Sequence, residues 1–216
     1  MNNKIGIVLP TRGLVFTRVE QAIEPFRKKH DITVYRSYDL PIPEGHNRLT
    51  EEALADGCDY IWLIEEDTVP PAGSLEKMMQ ANSDIACVDY GVSGWGCVTK
   101  DSNGQILWCG LGCTLVKREV FERLEKPFFR TDKTLRLNDW TWQDLPADYV
   151  KNKVYGTLDI WFCCQARKAG FKITQIEGEA VHLQLENLGQ RATNNGIHQI
   201  VERKKIENKQ TLNERG

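Results

Sequence analysis

The sequence predicts an α/β protein in which a mostly parallel central sheet is flanked by helices. Strand-like runs and helical stripes alternate from residue 5 to residue 88, the pattern of βαβ units. Residues 5–9 (Ile-Gly-Ile-Val-Leu) and 60–64 (Tyr-Ile-Trp-Leu-Ile) are unbroken apolar runs, as expected of strands buried on both faces. The 216 residues, 41% of them hydrophobic, suffice for one domain with its own core.

The elements follow in order. After the first strand, Pro10-Thr11-Arg12-Gly13 breaks the run, and Phe16, Val19, Ile23 and Phe26 recur at helical spacing. Residues 32–35 read as a second strand and 39–46 as a loop. Residues 49–55 read as a helix stopped by Gly57. The third strand, 60–64, runs into Glu65-Glu66-Asp67. Pro70-Pro71 then forces an extended turn, and Ser74 is placed to cap a helix carrying Leu75, Met78 and Met79. Residues 84–88 make a fourth strand. Further on, 91–104 is Gly-rich and reads as a loop or weak hairpin, and 106–116 is strand-like with a short helix after it. Residues 127–155 lack periodicity but hold Phe128, Phe129, Trp140 and Trp142; a stretch of that length without structure suits a functional loop. A helix is expected from Thr157 to Ala169 with Gly170 as terminator, short strands at 171–176 and 180–183, and a polar helix from Asn195. The expected organisation is a single domain: 1–90, 91–184, and a C-terminal helix and tail over 185–216.

Composition removes several classes. The 28 Lys+Arg nearly cancel the 30 Asp+Glu, so no chain-wide basic field attracts nucleic acid. The seven cysteines are odd in number and include no C-x-x-C pair; buried reduced thiols are expected, hence a reducing, cytoplasmic setting. No apolar run approaches the ~18 residues that span a membrane, and the N-terminus lacks a signal-peptide core, so no membrane association is expected.

Ligands of open α/β sheets bind beyond the carboxyl ends of the strands. The residues there are Pro10, Thr11 and Arg12, then 36–39, the acidic triplet, and Asp89-Tyr90. Three consecutive acids repel one another and gain nothing from packing. Strand alternation sets Glu65 and Asp67 on one side and Glu66 on the other, and two carboxylates on one side form half of a site for Mg²⁺ or Mn²⁺. A solvated acidic turn has the same composition. His182, at a strand end, is the nearest match to a further ligand, and alone it also suits a structural role. Asp159, in the first turn of an apolar helix, is explained by the helix dipole or as a general base.

Taken together these segments resemble a family. The pair 7–12 (Ile-Val-Leu-Pro-Thr-Arg) and 61–71 (Ile-Trp-Leu-Ile-Glu-Glu-Asp-Thr-Val-Pro-Pro) is similar to the nucleotide-sugar site of GT-A fold glycosyltransferases, in particular the large inverting family of small bacterial and viral enzymes. Glu65-x-Asp67 stands where that family has its D-x-D motif. Residues 110–120 resemble its Gly-rich acceptor-side strand, 156–173 its acidic helix start and return strand, and His182 its late metal-binding His. The resemblance spans residues 4–184 and implies a GT-A, Rossmann-like sheet with a small second sheet on the acceptor side.

It implies a Mn²⁺- or Mg²⁺-dependent transferase moving a sugar from a nucleoside-diphosphate donor, a uridine diphosphate sugar being the expected one, to a hydroxyl with inversion. Pro10, Thr11 and Arg12 would hold the donor's base and ribose, and Asp39 its base. Asp67 and His182 would hold the metal, with Glu65 and Glu66 beside them. Arg48 would lie near the donor phosphates, and Asp159 would be the base. Glu65 departs from the family's Asp by one methylene. The acceptor would be a glycan, a small molecule or a modified base in DNA. Arg130, Lys133 and Arg136 near the aromatics of 127–155 leave the last open, although the balanced charge does not favour nucleic acid. A nucleotidyltransferase would want a more glycine-rich, basic loop than Pro10-Thr11-Arg12-Gly13; a non-catalytic nucleotide-sugar-binding domain is the remaining alternative.

Overall fold

A computed structural model describes residues 3–38, 40–92, 95–136, 139–144, 158–187 and 198–203. The first half runs β1 (Lys4–Pro10), α1 (Thr17–Lys29), β2 (Asp31–Ser37), α2 (Ile42–Ala55), β3 (Tyr60–Ile64), β4 (Thr68–Val69) and α3 (Ser74–Gln80). Then come β5 (Ile85–Val92), β6 (Trp95–Gly96), β7 (Thr99–Lys100), β8 (Ile106–Trp108), β9 (Cys113–Lys117) and α4 (Arg118–Arg123). The chain closes with β10 (Lys133–Arg136), β11 (Thr141–Asp144), α5 (Leu158–Lys168), β12 (Ile173–Asn187) and β13 (His198–Arg203).

The main sheet has the order β13-β12-β5-β9-β3-β1-β2. β1 is parallel to β2 and β3, and β5 is parallel to β12; β9 runs antiparallel between β3 and β5. This is the expected mostly parallel, Rossmann-like α/β architecture, with the small hairpins β7-β8 and β10-β11 beside it. Alternation in β1 explains why the sheet is covered on both faces. Ile5, Ile7 and Leu9 join Trp62, Ile64 and Val88 against Val19, Ile23 and Phe26 of α1 and Leu75 and Met78 of α3. Val8, Ile61 and Leu63 face Leu49 and Ala53 of α2 and Phe162 and Ala166 of α5. A Cβ on Gly6 would stand 2.9 Å from that of Ala53, so glycine there lets α2 settle onto the sheet.

Four local readings are corrected. α2 begins at Ile42, because Pro43 lies in its first turn, where proline's missing N–H costs nothing. Ser74 does not cap α3; Gly73 occupies that position with φ 72°, and Ser74 is buried in the first turn. The return strand is one element rather than two, since a register shift between Gln175 and Glu179, with Gly178 at φ 130°, carries β12 through the interruption. Residues 198–203 are a strand antiparallel to β12 instead of part of a polar helix. Ile200 and Val201 fit either period over so short a run, and the open edge of β12 supplies the ladder partner that decides it. Thr157 lies outside the described residues, while Gly170 ends α5 with φ 90° as expected.

All seven cysteines are free thiols, with Cys97 and Cys164 half-buried and the rest buried. Among the described residues no helix is long and apolar enough to cross a membrane.

Candidate active site

At the end of β3 the chain turns through Glu65, Glu66 and Asp67 into β4. This short strand pairs antiparallel with β12, Thr68 opposite His182 and Val69 opposite Val181. The pairing draws two distant parts of the sequence together: Leu183 N–H donates to the Asp67 carbonyl at 2.8 Å, and His182 Nε2 lies 3.4 Å from Asp67 Oδ2. Glu65, Asp67 and His182 each present a ligand atom, and these atoms all lie within 4.8 Å of one another. Glu66 turns away, as strand alternation anticipated. It accepts from the Arg12 backbone N–H at 2.7 Å and from the Arg12 guanidinium, which also comes within 3.8 Å of Asp67.

Glycines make room for this cluster. Gly112 N–H donates to the Tyr90 hydroxyl at 3.0 Å, and Tyr90 packs edge-on against His182 with ring centres 5.3 Å apart. A Cβ on Gly112 would stand 2.6 Å from Thr68 Oγ1, 2.8 Å from the Tyr90 oxygen and 3.0 Å from Glu65 Oε2. Gly112→Ala is therefore expected to displace Glu65 and to destabilise the fold by about 1–3 kcal/mol. Chemical denaturation together with a Mn²⁺ titration checks both effects, and unchanged stability and metal affinity would contradict this role of the glycine.

The electrostatics suit a cation. Burial pushes Glu65 up to about 7, assisted by the neighbouring Asp67 carboxylate and opposed by His182. For His182, burial disfavours the charged ring, but the Asp67 carboxylate and the Gly91 carbonyl outweigh it and move the pKa upward. His182 Nδ1–H donates to Gly91 O at 3.0 Å, which fixes the tautomer and leaves Nε2 toward the carboxylates. Two carboxylates and one imidazole nitrogen fit Mn²⁺ or Mg²⁺ chemically, and the upward shift of Glu65 beside Asp67 marks a cluster short of positive charge.

Asp159 opens α5 and its Oδ1 accepts the Ile160 N–H at 2.9 Å. Burial raises it to about 6, the first and largest influence, against the stabilising backbone N–H groups. Asp159, Glu65, Glu66, Asp67, His182, Pro10 and Arg12 all line one cavity of about 520 Å³.

Two expected residues do not line it. Thr11 is buried, its N–H bound to Ser37 O and its hydroxyl accepting from Gly13 N–H. Arg48 meets Glu52 one turn along the exposed side of α2 at 2.8 Å, an ordinary i,i+4 pair. Asp39 lies outside the described residues. Asn47 is structural: it exchanges hydrogen bonds with the Phe129 backbone at 2.8 and 3.1 Å. Asp89 accepts from the N–H groups of Tyr90, Cys97 and Val98, tying the segment that follows β6 back to β5.

The cavity also takes in residues that no sequence motif marks. His46 lies in its wall, almost fully buried. Its Nδ1–H donates to Ile42 O at 2.9 Å, and burial lowers its pKa to about 4, so it stays neutral. Trp95 and Trp108 also line the cavity. The signal for His46 was its i+4 spacing from Ile42, hidden because 39–46 reads as a loop.

The fold and site define an α/β domain whose acidic cavity lies beyond the carboxyl ends of the parallel strands, the place where such sheets bind ligands. No protein-family model and no curated protein sequence matches the chain. Among solved structures it is similar to A197 from STIV, with a TM-score of 0.59 and 17% identity over 96% of this chain and 100% of that one, which shows a shared fold. HddC from Yersinia pseudotuberculosis overlays with a TM-score of 0.41 at 11% identity over 70% of this chain and 97% of that one. The 4-diphosphocytidyl-2C-methyl-D-erythritol synthase from Anaerococcus prevotii DSM 20548 gives 0.40 at 10% identity, over 82% of this chain and 90% of that one. These last two are too distant to carry an argument.

Proposed function

We propose that the protein is a divalent-metal-dependent glycosyltransferase that moves a sugar from a nucleoside-diphosphate donor to a hydroxyl, with inversion at the anomeric carbon. The observation that carries the reading is the convergence of Glu65, Asp67 and His182 on one point of a cavity that also contains the half-buried, proton-prone Asp159. On this reading residues 1–90 bind the donor and 91–184 receive the acceptor.

Asp67, His182 and Glu65 would hold a Mn²⁺ or Mg²⁺ ion, whose charge offsets that of a departing diphosphate. Arg12, anchored on Glu66 near Asp67, adds a fixed positive charge on the same side of the donor. Asp159, ionised above about pH 6, accepts the proton of the acceptor hydroxyl as its oxygen attacks the anomeric carbon. The bond from that carbon to the phosphate oxygen breaks, and its electron pair leaves with the nucleoside diphosphate. Burial of Asp159 brings its pKa closer to the working pH, since a carboxylate at its ordinary value would be a weaker base near neutrality.

The test is to incubate the protein with Mn²⁺ and nucleoside-diphosphate sugars, the uridine series first, with a mixed hydroxyl acceptor pool, while following nucleoside diphosphate release and the anomeric configuration of the product. Release that depends on both metal and acceptor, with an inverted product, is expected. Release of pyrophosphate from a nucleoside triphosphate and a sugar phosphate instead would replace this reading with nucleotidyl transfer.

A second outcome concerns protons. Because Glu65 is held near 7 and His182 is shifted upward, metal entry must expel protons from the cluster. Mn²⁺ affinity is expected to rise as pH increases through about 7, with net proton release measurable by calorimetry in buffers of different ionisation enthalpy. Affinity independent of pH would contradict the assigned ligands.

A further inference from the structure

Tryptophan is seldom left in water, yet the wall of the cavity continues outward as a run of indoles. Trp95 and Trp108 line the cavity, and Trp95 is 56% exposed. Trp140, in the turn between β10 and β11, is 50% exposed, and its ring centre lies 6.4 Å from that of Trp108 with the planes tilted by 57°. Trp140 is one of two described non-glycine residues with positive φ, at 56°. The turn is held in place as Asp139 Oδ1 accepts from the Thr141 hydroxyl and N–H at 2.7 and 3.2 Å. A backbone conformation uncommon for a bulky residue is thus kept where it turns a large apolar ring toward the solvent beside the cavity.

The charges around these rings say what would cover them. Of the cations that suggested nucleic acid, Arg130 is bound to Asp132, with Nε–Oδ1 at 2.8 Å, and is laid over Trp161. Lys133 pairs across the hairpin with Asp144, and Arg136 pairs with Asp139 at 3.7 Å. Each of these three cations has a carboxylate beside it. Lys100 is exposed on the adjoining β7, and among the described residues of this surface it stands without the row of cations that a groove tracking phosphates needs. Indole faces beside an acidic cavity, with the hairpin's cations already paired, disfavour a polyanion and suit an uncharged ligand with one apolar face and a rim of hydroxyls, which describes a pyranose ring.

We infer that Trp95, Trp108 and Trp140 form a stacking platform for a neutral carbohydrate, so that the acceptor of the proposed transfer is a glycan whose terminal hydroxyl reaches the cavity. The inference rests on the transferase reading for the word acceptor, but the platform itself requires neither metal nor donor. The two can therefore fail separately.

The test is a fluorescence titration of the metal-free protein with neutral gluco-, galacto-, manno- and N-acetylglucosamine oligosaccharides, and in parallel with single-stranded oligothymidylate. Saturable quenching by at least one oligosaccharide is expected, unchanged between about 50 and about 200 mM salt. It should weaken about tenfold or more in Trp140→Ala and in Trp95→Ala, the fold-change expected on losing a stacked ring, and persist in Asp67→Ala. Both tryptophans are exposed, so their replacement should leave the melting temperature and the sedimentation coefficient unchanged. Quenching by oligothymidylate alone, falling steeply with salt, would overturn the inference in favour of a nucleic-acid acceptor. A sedimentation change on removing either indole would mark an interface between copies and overturn it too, as would a panel that binds nowhere. Loss of metal-dependent nucleotide binding with oligosaccharide binding intact would instead count against the transferase reading alone.

Discussion

Asp159→Asn is expected to yield a protein that melts higher than the parent near neutral pH and transfers nothing. Burial pushes the half-buried Asp159 carboxyl up to about 6 in the fold from an ordinary value of 3.8, so between those values the native state binds more protons than the unfolded chain. Stability from this group is then greatest below the unfolded pKa and is lost as pH rises through the folded one. Above about pH 6 the charged side chain is a standing penalty, on the order of 1–3 kcal/mol after allowance for partial exposure. Asparagine keeps the shape and can still accept the Ile160 N–H, but carries no charge to desolvate. For a chain of this size that corresponds to roughly 3–8 °C in melting temperature at about pH 8, shrinking toward zero near pH 4. Turnover should fall by several powers of ten, because the amide cannot take the acceptor proton; in the parent, turnover should rise through about pH 6 and level off. Melting curves and initial rates across pH check both halves. An active Asp159→Asn protein would remove the base assignment, and an unshifted melting temperature would contradict the partly desolvated carboxylate.

Asp67→Ala carries the second large effect. Asp67 stands between His182 and Arg12, and it is one of the two carboxylates that raise the demand for positive charge at this point. Without it the cluster keeps Glu65 and His182, too few ligands and too little negative charge for a hard divalent ion, and metal-dependent turnover should drop by about a thousandfold or more. The fold should survive, since the Asp67 backbone carbonyl, not its side chain, is what ties the turn to Leu183. The removal also relieves Glu65 of a like charge and takes from His182 the carboxylate that raises it, so both pKa values should fall. NMR titration of the His182 ring in the metal-free protein reads this directly: a downward move is expected in Asp67→Ala, and an unmoved pKa would separate the two residues that the geometry joins.

Much of this site was legible because the chemistry opposes packing. Three acids directly after an apolar run have no structural reason to be consecutive, and strand alternation alone separates Glu66, now bound to Arg12, from Glu65 and Asp67. The apolar runs themselves pointed to the sheet, because strands buried on both faces leave no polar alternation to misread. What stayed hidden depends on pairing between distant segments. Nothing near residue 182 announces that β4, only Thr68 and Val69, pairs with it; that two-residue ladder is what turns a histidine at a strand end into a neighbour of Asp67. Gly110 and Gly112 stood out in the sequence only as part of a glycine-rich, strand-like segment, and their reason is steric: a Cβ on Gly110 would stand 2.3 Å from the Tyr90 oxygen. Arg48 and Thr11 were placed by position in a motif, and the fold engages one with Glu52 and the other in its own turn. The hairpin of β10 and β11 was invisible because runs of Lys133–Arg136 and Thr141–Asp144 length are too short to display a period. The strand at His198–Arg203 was missed for a related reason: its partner, the free edge of β12, exists only in the folded sheet.

Whether a metal-bound nucleoside diphosphate occupies the cavity is read from the melting temperature of the protein with each nucleoside diphosphate, with and without Mn²⁺, in the parent and in Asp67→Ala. A ligand at about a hundred times its Kd stabilises the native state by about 2.7 kcal/mol, several degrees for this chain. A shift is expected with one nucleoside diphosphate, requiring the metal and disappearing in Asp67→Ala. A panel in which no nucleoside diphosphate moves the parent in the presence of Mn²⁺ would contradict donor binding, leaving the Rossmann-like sheet in place and Glu65, Glu66 and Asp67 as a structural turn braced by Arg12 and His182.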